Sequence, residues 1–288
     1  MILYLFIFDF MLDPKINNNE NNSFIKGLEA GIKGSIAVSA QVSSLMWIRT
    51  ITNYQYVHGT SFQNTFKTLY NQGGLSRFYR GIIPSLIITP LSRFGDTSTN
   101  SFALSYLGNE TSVWKTAVLS SVLAGGWRIA ILPIENWKTH KQVYGKDGFA
   151  VLKNSVKQNG IKELYKGGYA YFGYSVVGNY GWFGTYNFIT KKYPIKENDL
   201  LYQKIGKSIF YGISSSLAAD TLSNSFRVLK TIKQTDGRDI SYKKINNSVM
   251  KKEGKLGIFK RGLATSLMGN SIQAGFFSII FTYLMGNF

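Results

Sequence analysis

A chain of 288 residues with no cysteine excludes disulfides, thiol chemistry and cysteine-ligated metals, and its two histidines, His58 and His140, are too few for a metal cluster. The 33 Lys and Arg against 15 Asp and Glu give a net charge of +18, a balance often seen in nucleic-acid-binding proteins. Here the bases are confined to three separate segments, which argues against nucleic acid and for a membrane whose basic loops share one side.

In chain order, Met1–Leu12 is apolar but interrupted by Asp9, and it is too short to span a bilayer. It lacks the basic region of a secretory signal and the arginines of a mitochondrial presequence. With the Asn-rich stretch Asn17–Asn22 it reads as an appended arm and linker. Six sparsely charged stretches follow, near 25–50, 81–107, 113–138, 167–190, 204–230 and 262–288, each close to the length of a membrane span. Between them, 49–80 has no acid, 138–166 carries seven Lys against Asp147 and Glu163, and 230–261 is Lys-rich. All three segments follow odd-numbered stretches, so all three lie on one side.

The chain repeats itself three times. Gly74-Leu-Ser-Arg-Phe-Tyr-Arg-Gly81, Gly160-Ile-Lys-Glu-Leu-Tyr-Lys-Gly167 and Gly254-Lys-Leu-Gly-Ile-Phe-Lys-Arg-Gly262 each precede an even-numbered stretch. Arg49-Thr-Ile-Thr-Asn53, Lys138-Thr-His-Lys-Gln142 and Lys230-Thr-Ile-Lys-Gln234 end the odd-numbered ones, 89 and 92 residues apart. Pro133-Ile-Glu135-Asn-Trp-Lys138 resembles the Pro-x-acid-x-x-base signature of the mitochondrial carrier family, and the glycine segments resemble that family's matrix-side motif. The resemblance covers residues 24–288. It implies an all-α membrane protein of the mitochondrial inner membrane, not an enzyme, with six transmembrane helices in a pseudo-threefold barrel. The repeats would be 24–110, 111–198 and 199–288, after an arm at 1–23. Short matrix helices are expected near 61–71, 148–158 and 241–252, with the basic loops in the matrix.

The family's gates and binding positions carry over residue by residue. The matrix gate retains Glu135, Lys138, Lys230 and Arg49, but Met46 replaces one acid and Arg227 another, and Ser44 and Ser225 replace two prolines. Glu135 can pair with Lys230, which leaves Lys138 alone and sets Arg227 against Arg49. At the opposite gate the matching positions are Asn100, Ser101 and Leu104, then Tyr186, Asn187 and Thr190, then Phe281, Thr282 and Met285, none charged. The substrate-contact positions Ile88, Thr89, Tyr174, Ser175, Gly269 and Asn270 are uncharged too, so a stripped anion finds no counter-charge there. Arg128 and Asp220, at equivalent points of neighbouring odd helices, are expected to form a cavity salt bridge, with a binding or proton site as the alternative, and Arg93 with Asp96 a second pair. Arg80, Gly81, Lys166, Gly167, Lys260 and Gly262 match the positions that bind cardiolipin in the family; a plain cap-and-turn role is the alternative.

Two functional readings follow. In the first, the fold is retained as a structural or accessory subunit of a larger inner-membrane assembly, such as a respiratory complex, contacted in part through Met1–Leu12. In the second, the chain still carries a neutral or cationic solute through atypical gates.

Overall fold

The computed structural model describes the backbone of residues 20–107, 113–196, 199–238 and 240–284, with side chains between 39 and 273 apart from scattered positions. The arm Met1–Leu12 lies outside the described residues. So do the side chains of Arg93, Asn100, Ser101, Leu104, Asn187, Phe281, Thr282 and Met285.

Among the described residues the fold is helical, without strands. α1 (Glu20–His58) starts inside the stretch read as linker. It stops at Gly59, whose positive φ of 68° turns the chain while its N–H still reaches Gln55 O at 2.8 Å. α2 (Phe62–Asn71) is short and amphipathic, capped by the Ser61 side chain, which accepts from Asn64 N. α3 (Gly74–Phe78) and α4 (Ile82–Leu107) complete the first repeat.

The second repeat departs from the first at one point. Its odd-numbered stretch is broken at Ile131 into α5 (Val113–Ala130) and α6 (Leu132–Tyr144). Pro133 has no N–H to give to the preceding turn, and its ring crowds the carbonyl four residues back. Repeats one and three have serine there, and α1 and α9 (Leu201–Thr235) run unbroken. α7 (Gly148–Asn159) and α8 (Gly168–Lys192) finish repeat two; α10 (Tyr242–Glu253), α11 (Gly257–Lys260) and α12 (Leu263–Leu284) finish repeat three. Helices thus occupy the three short segments expected from the repeat.

The long helices pack in chain order, α1 on α4, α4 on α5, α5 on α8, α8 on α9 and α9 on α12, and α12 returns to α1. At one end α1, α6 and α9 also touch one another. Close approach is bought by glycine: a Cβ on Gly173 would lie 2.7 Å from Phe226, and one on Gly181 2.9 Å from Leu222. Polarity is inverted relative to a water-soluble fold. Gln41, Asp96, Ser120, Ser121, Glu135 and Asp220 are buried, while Ile83, Phe94, Phe102, Tyr106, Tyr169 and Phe188 are exposed. Among the described residues no single helix is both long and apolar enough to cross a membrane by itself; the runs 115–130 and 132–159, inclined at 68°, meet that test together.

Three glycines with positive φ join the repeats. Gly81 (φ 98°) lies against Lys138 O, Gly167 (82°) against Lys230 O, and Gly262 (65°) against Thr52 O. Each even helix therefore begins on the end of the next odd one. Gly167→Ala is expected to be more destabilising than Gly160→Ala, although both positions have positive φ. The left-handed conformation costs either variant about 1–2 kcal/mol, but only at Gly167 would the Cβ also meet Gln234 at 2.9 Å and Lys230 O at 3.1 Å, since none of the described atoms lies within 4 Å at Gly160. Thermal unfolding in mild detergent checks this; equal losses would show that the glycine junction adds nothing.

Candidate functional site

The long helices enclose a cavity of about 310 Å³. Its lining includes the six contact positions Ile88, Thr89, Tyr174, Ser175, Gly269 and Asn270, together with Arg49, Glu135, Lys138, Arg227 and Lys230, and also Arg128 and Asp220. Placement follows the register read from the glycines. Pairing does not.

At the floor, Glu135 is buried with Lys138 Nζ at 2.6 Å on one carboxylate oxygen and Lys230 Nζ at 2.7 Å on the other. Lys138 is therefore not left alone by Met46, because one carboxylate has two oxygens and serves both lysines. Nor does Arg227 face Arg49. Arg227 turns back along α9 to pair with Asp220, donates to Ser266 Oγ at 2.7 Å and lies 4.9 Å over the Tyr174 ring. Arg49 donates to Gln273 Oε1 at 2.6 and 3.2 Å. The like-charge contact is avoided by this divergence. About two turns beyond Glu135 on α6, Asn53 Nδ2 donates to Gln142 Oε1 at 2.5 Å, linking α1 to α6. These amides are two of the three that close the repeated basic-Thr-x-x-amide segment, so the sequence carried their signal.

Higher in the cavity, the expected Arg128–Asp220 bridge does not form. Arg128 pairs with Asp96 at 2.5 Å, and Asp220 is held by Arg227 and by Asn270. The physical reason is the ring order: α4 packs directly on α5, whereas α8 stands between α5 and α9. Asp96 is thus the partner of Arg128, and the proposed Arg93–Asp96 pair falls on an undescribed side chain. Of the opposite-gate positions that are described, Tyr186 stacks on Trp182 with ring centroids 5.1 Å apart.

The basic-glycine positions are engaged within the fold. Lys166 is buried and pairs with Glu163 at 2.9 Å. In the third copy the base directly before the glycine is Arg261, not the exposed Lys260. Arg261 is buried against Glu253 and donates to Tyr56 O at 3.1 Å. In the first copy Arg77, 1% exposed, donates to Gln142 O at 2.9 Å and Val143 O at 2.7 Å, capping α6. Burial, with Arg80 alongside, lowers its pKa to about 10.

No family model matches the chain. It is 26% identical to "Mitochondrial carrier-like protein L276" of Acanthamoeba polyphaga mimivirus over 150 residues, 52% of this chain and 60% of that protein. It is 25% identical to "Mitochondrial 2-oxodicarboxylate carrier 1" of Saccharomyces cerevisiae over 245 residues, 80% of this chain and 78% of that protein. The chain is similar to mitochondrial carriers. Both relatives are named as carriers and neither as an enzyme.

Arg128→Gln takes away the base that Asp96 holds, and breaking a buried pair from one side costs on the order of 3 kcal/mol. The double variant R128Q/D96N is expected to recover more than half of that loss in thermal unfolding. Additive losses would show that the two residues do not act as a pair. Stability should also fall below neutral pH. Burial lowers the pKa of His140 from its ordinary 6.5, and at His58, whose side chain is solvent-exposed, partial desolvation with Arg261 and Arg77 nearby lowers it too. Between each folded pKa and 6.5 the unfolded chain binds more protons, so stability is full above that window and is lost as pH falls through it. Melting temperatures measured from pH 7.5 to 5 should decline, and His140→Gln should flatten the decline.

Proposed function

We propose that this chain is a carrier-type transporter of the mitochondrial inner membrane, with its long helices arranged as a pseudo-threefold transmembrane barrel and its basic loops in the matrix. The observation that carries the reading is the polar cavity, reached by every repeat and closed at one end by Glu135, Lys138 and Lys230. Polar residues inside and aromatic residues outside support a lipid setting, because helices in a bilayer turn polar groups toward one another.

The cargo we propose is a small solute bearing a carboxylate. Among the described residues the lining has five bases (Arg49, Arg128, Lys138, Arg227, Lys230) and three acids (Asp96, Glu135, Asp220), an excess of two positive charges that repels cations. The Nε atoms of Arg128 and Arg227 are buried donors without a hydrogen-bond partner, and they suit an oxygen acceptor. This replaces the neutral or cationic solute expected from the contact positions, because the counter-charges come from the odd helices instead. The yeast relative, named for 2-oxodicarboxylates, points the same way. The accessory-subunit reading rested on the altered gate rings, the uncharged contact positions and the apolar arm Met1–Leu12, and it draws no support from relatives named as carriers. Arg80 and Lys260 are the bases offered to cardiolipin phosphates, since Lys166 and Arg261 are held by carboxylates.

The test is counter-exchange in proteoliposomes loaded in turn with a 2-oxodicarboxylate, an amino-acid zwitterion and choline. Uptake is expected with carboxylate-bearing solutes and not with choline, and Arg128→Gln should lower it by at least about tenfold, as for a lost charged contact. Choline uptake, or no uptake of any solute, would count against the proposal.

A further inference from the structure

The three odd-numbered segments meet at the closed end, but only one of them contains a joint. α1 runs unbroken from Glu20 to His58 and α9 from Leu201 to Thr235. The second is interrupted at Ile131 (φ −92°, ψ 3°), two residues before Pro133. We infer that the closed end opens by a swing of α6 alone about this joint, while α1 and α9 stay together.

The bonding at that end divides accordingly. The side-chain bonds that tie α6 to α1, α9 and the α3 loop are polar. Glu135 reaches Lys230 at 2.7 Å, Gln142 accepts from Asn53 at 2.5 Å, Tyr144 donates to Thr235 O, and Arg77 holds the Gln142 and Val143 carbonyls. Of these groups Glu135, Lys230, Asn53 and Gln142 line the cavity, where water can take a partner's place. What ties α1 to α9 includes an apolar cluster of Tyr56, Val228, Val249 and Ile258, which water does not replace. Tyr56 also donates to Asn224 Oδ1 at 3.1 Å, and Asn224 Nδ2 donates to Phe259 O at 2.8 Å, locking the third repeat's loop onto the same pair.

The acid of the closed end sits on the jointed piece as well. Glu135 lies in the first turn of α6, just past the break, and bonds lysines on α6 itself and on α9. Among the described residues lining the closed end it is the sole acid, so the latch and the joint belong to one thirteen-residue helix. A straight α1 or α9 would have to move as a whole. α6 can turn at Ile131, taking its own buried Leu132 and Val143 with it.

The absence of cysteine makes the test direct, because introduced thiols are the sole labelling sites. His58 at the end of α1, Lys146 just beyond α6 and Gly237 just beyond α9 are exposed. Spin labels at H58C/K146C and at H58C/G237C, in nanodiscs, report the α1–α6 and α1–α9 separations by pulsed dipolar spectroscopy. Glu135→Gln, which sets Lys138 against Lys230 with no acid between them, drives opening without any solute. In that variant the H58C/K146C pair is expected to gain a longer distance holding at least about half of the population. The H58C/G237C pair should keep a single distance, and adding Pro133→Ala should shrink the longer population. A second distance for H58C/G237C, or an unchanged H58C/K146C distance in the Glu135→Gln variant, would overturn the inference. Neither result depends on transport, so failure here is separate from failure to exchange solute.

Discussion

Glu135 holds the cavity floor together. A carboxylate that is 4% exposed is tolerable only when its charge is matched and its oxygens are bonded, and Lys138 and Lys230 do both. The break at Ile131 contributes to this. By starting a new helix at Leu132 it places Glu135 in a first turn, where the helix dipole favours an acid. In an unbroken helix the same residue would sit mid-turn without that help. Lys141, in the last turn of α6, and Arg77, on its final carbonyls, supply the opposite charge at the opposite end. The short segment is therefore consistent with itself from cap to cap, which lets it stand apart from α5.

Around that floor the three repeats are joined by backbone as well as by charge. Gly81, Gly167 and Gly262 set the start of each even helix on the end of the following odd one, and side chains there would collide with Lys141, Gln234 and Tyr56. The basic residue before each glycine has a different fate in each copy. Lys166 pairs with Glu163 three residues back, and Arg261 with Glu253 eight residues back. Arg80 has Arg77 where the second copy has its acid, and Arg77 is spent on helix carbonyls instead. One sequence motif thus yields three electrostatic settings on a shared backbone frame.

That contrast explains what was legible in the sequence. The threefold period, the helix positions, the three short helices and the residues facing the cavity follow from glycine and apolar spacing, which geometry repeats faithfully. Partners across helices do not follow, because they depend on which helix stands next to which and at what height. Arg128 and Asp220 are equivalent by count, yet α8 separates their helices, so each finds another partner. The Asp220–Arg227 pair was within reach of the sequence: seven residues is about two helical turns, which returns to the same face. The Arg128–Asp96 pair was not, since it needs the antiparallel register of α4 on α5.

The same pairings decide how the cavity can treat a solute. Asp96 and Asp220 each spend their charge on one arginine, and Glu135 divides its charge between two lysines. Arg49 donates to Gln273. Among the described lining residues the bases outnumber the acids by two, and Arg49, Lys138 and Lys230 line the cavity toward the floor. A carboxylate arriving there would meet the very lysines that Glu135 secures. Binding and the integrity of the closed end would then draw on one set of charges, and the jointed helix is the element that bears two of its three members, Glu135 and Lys138.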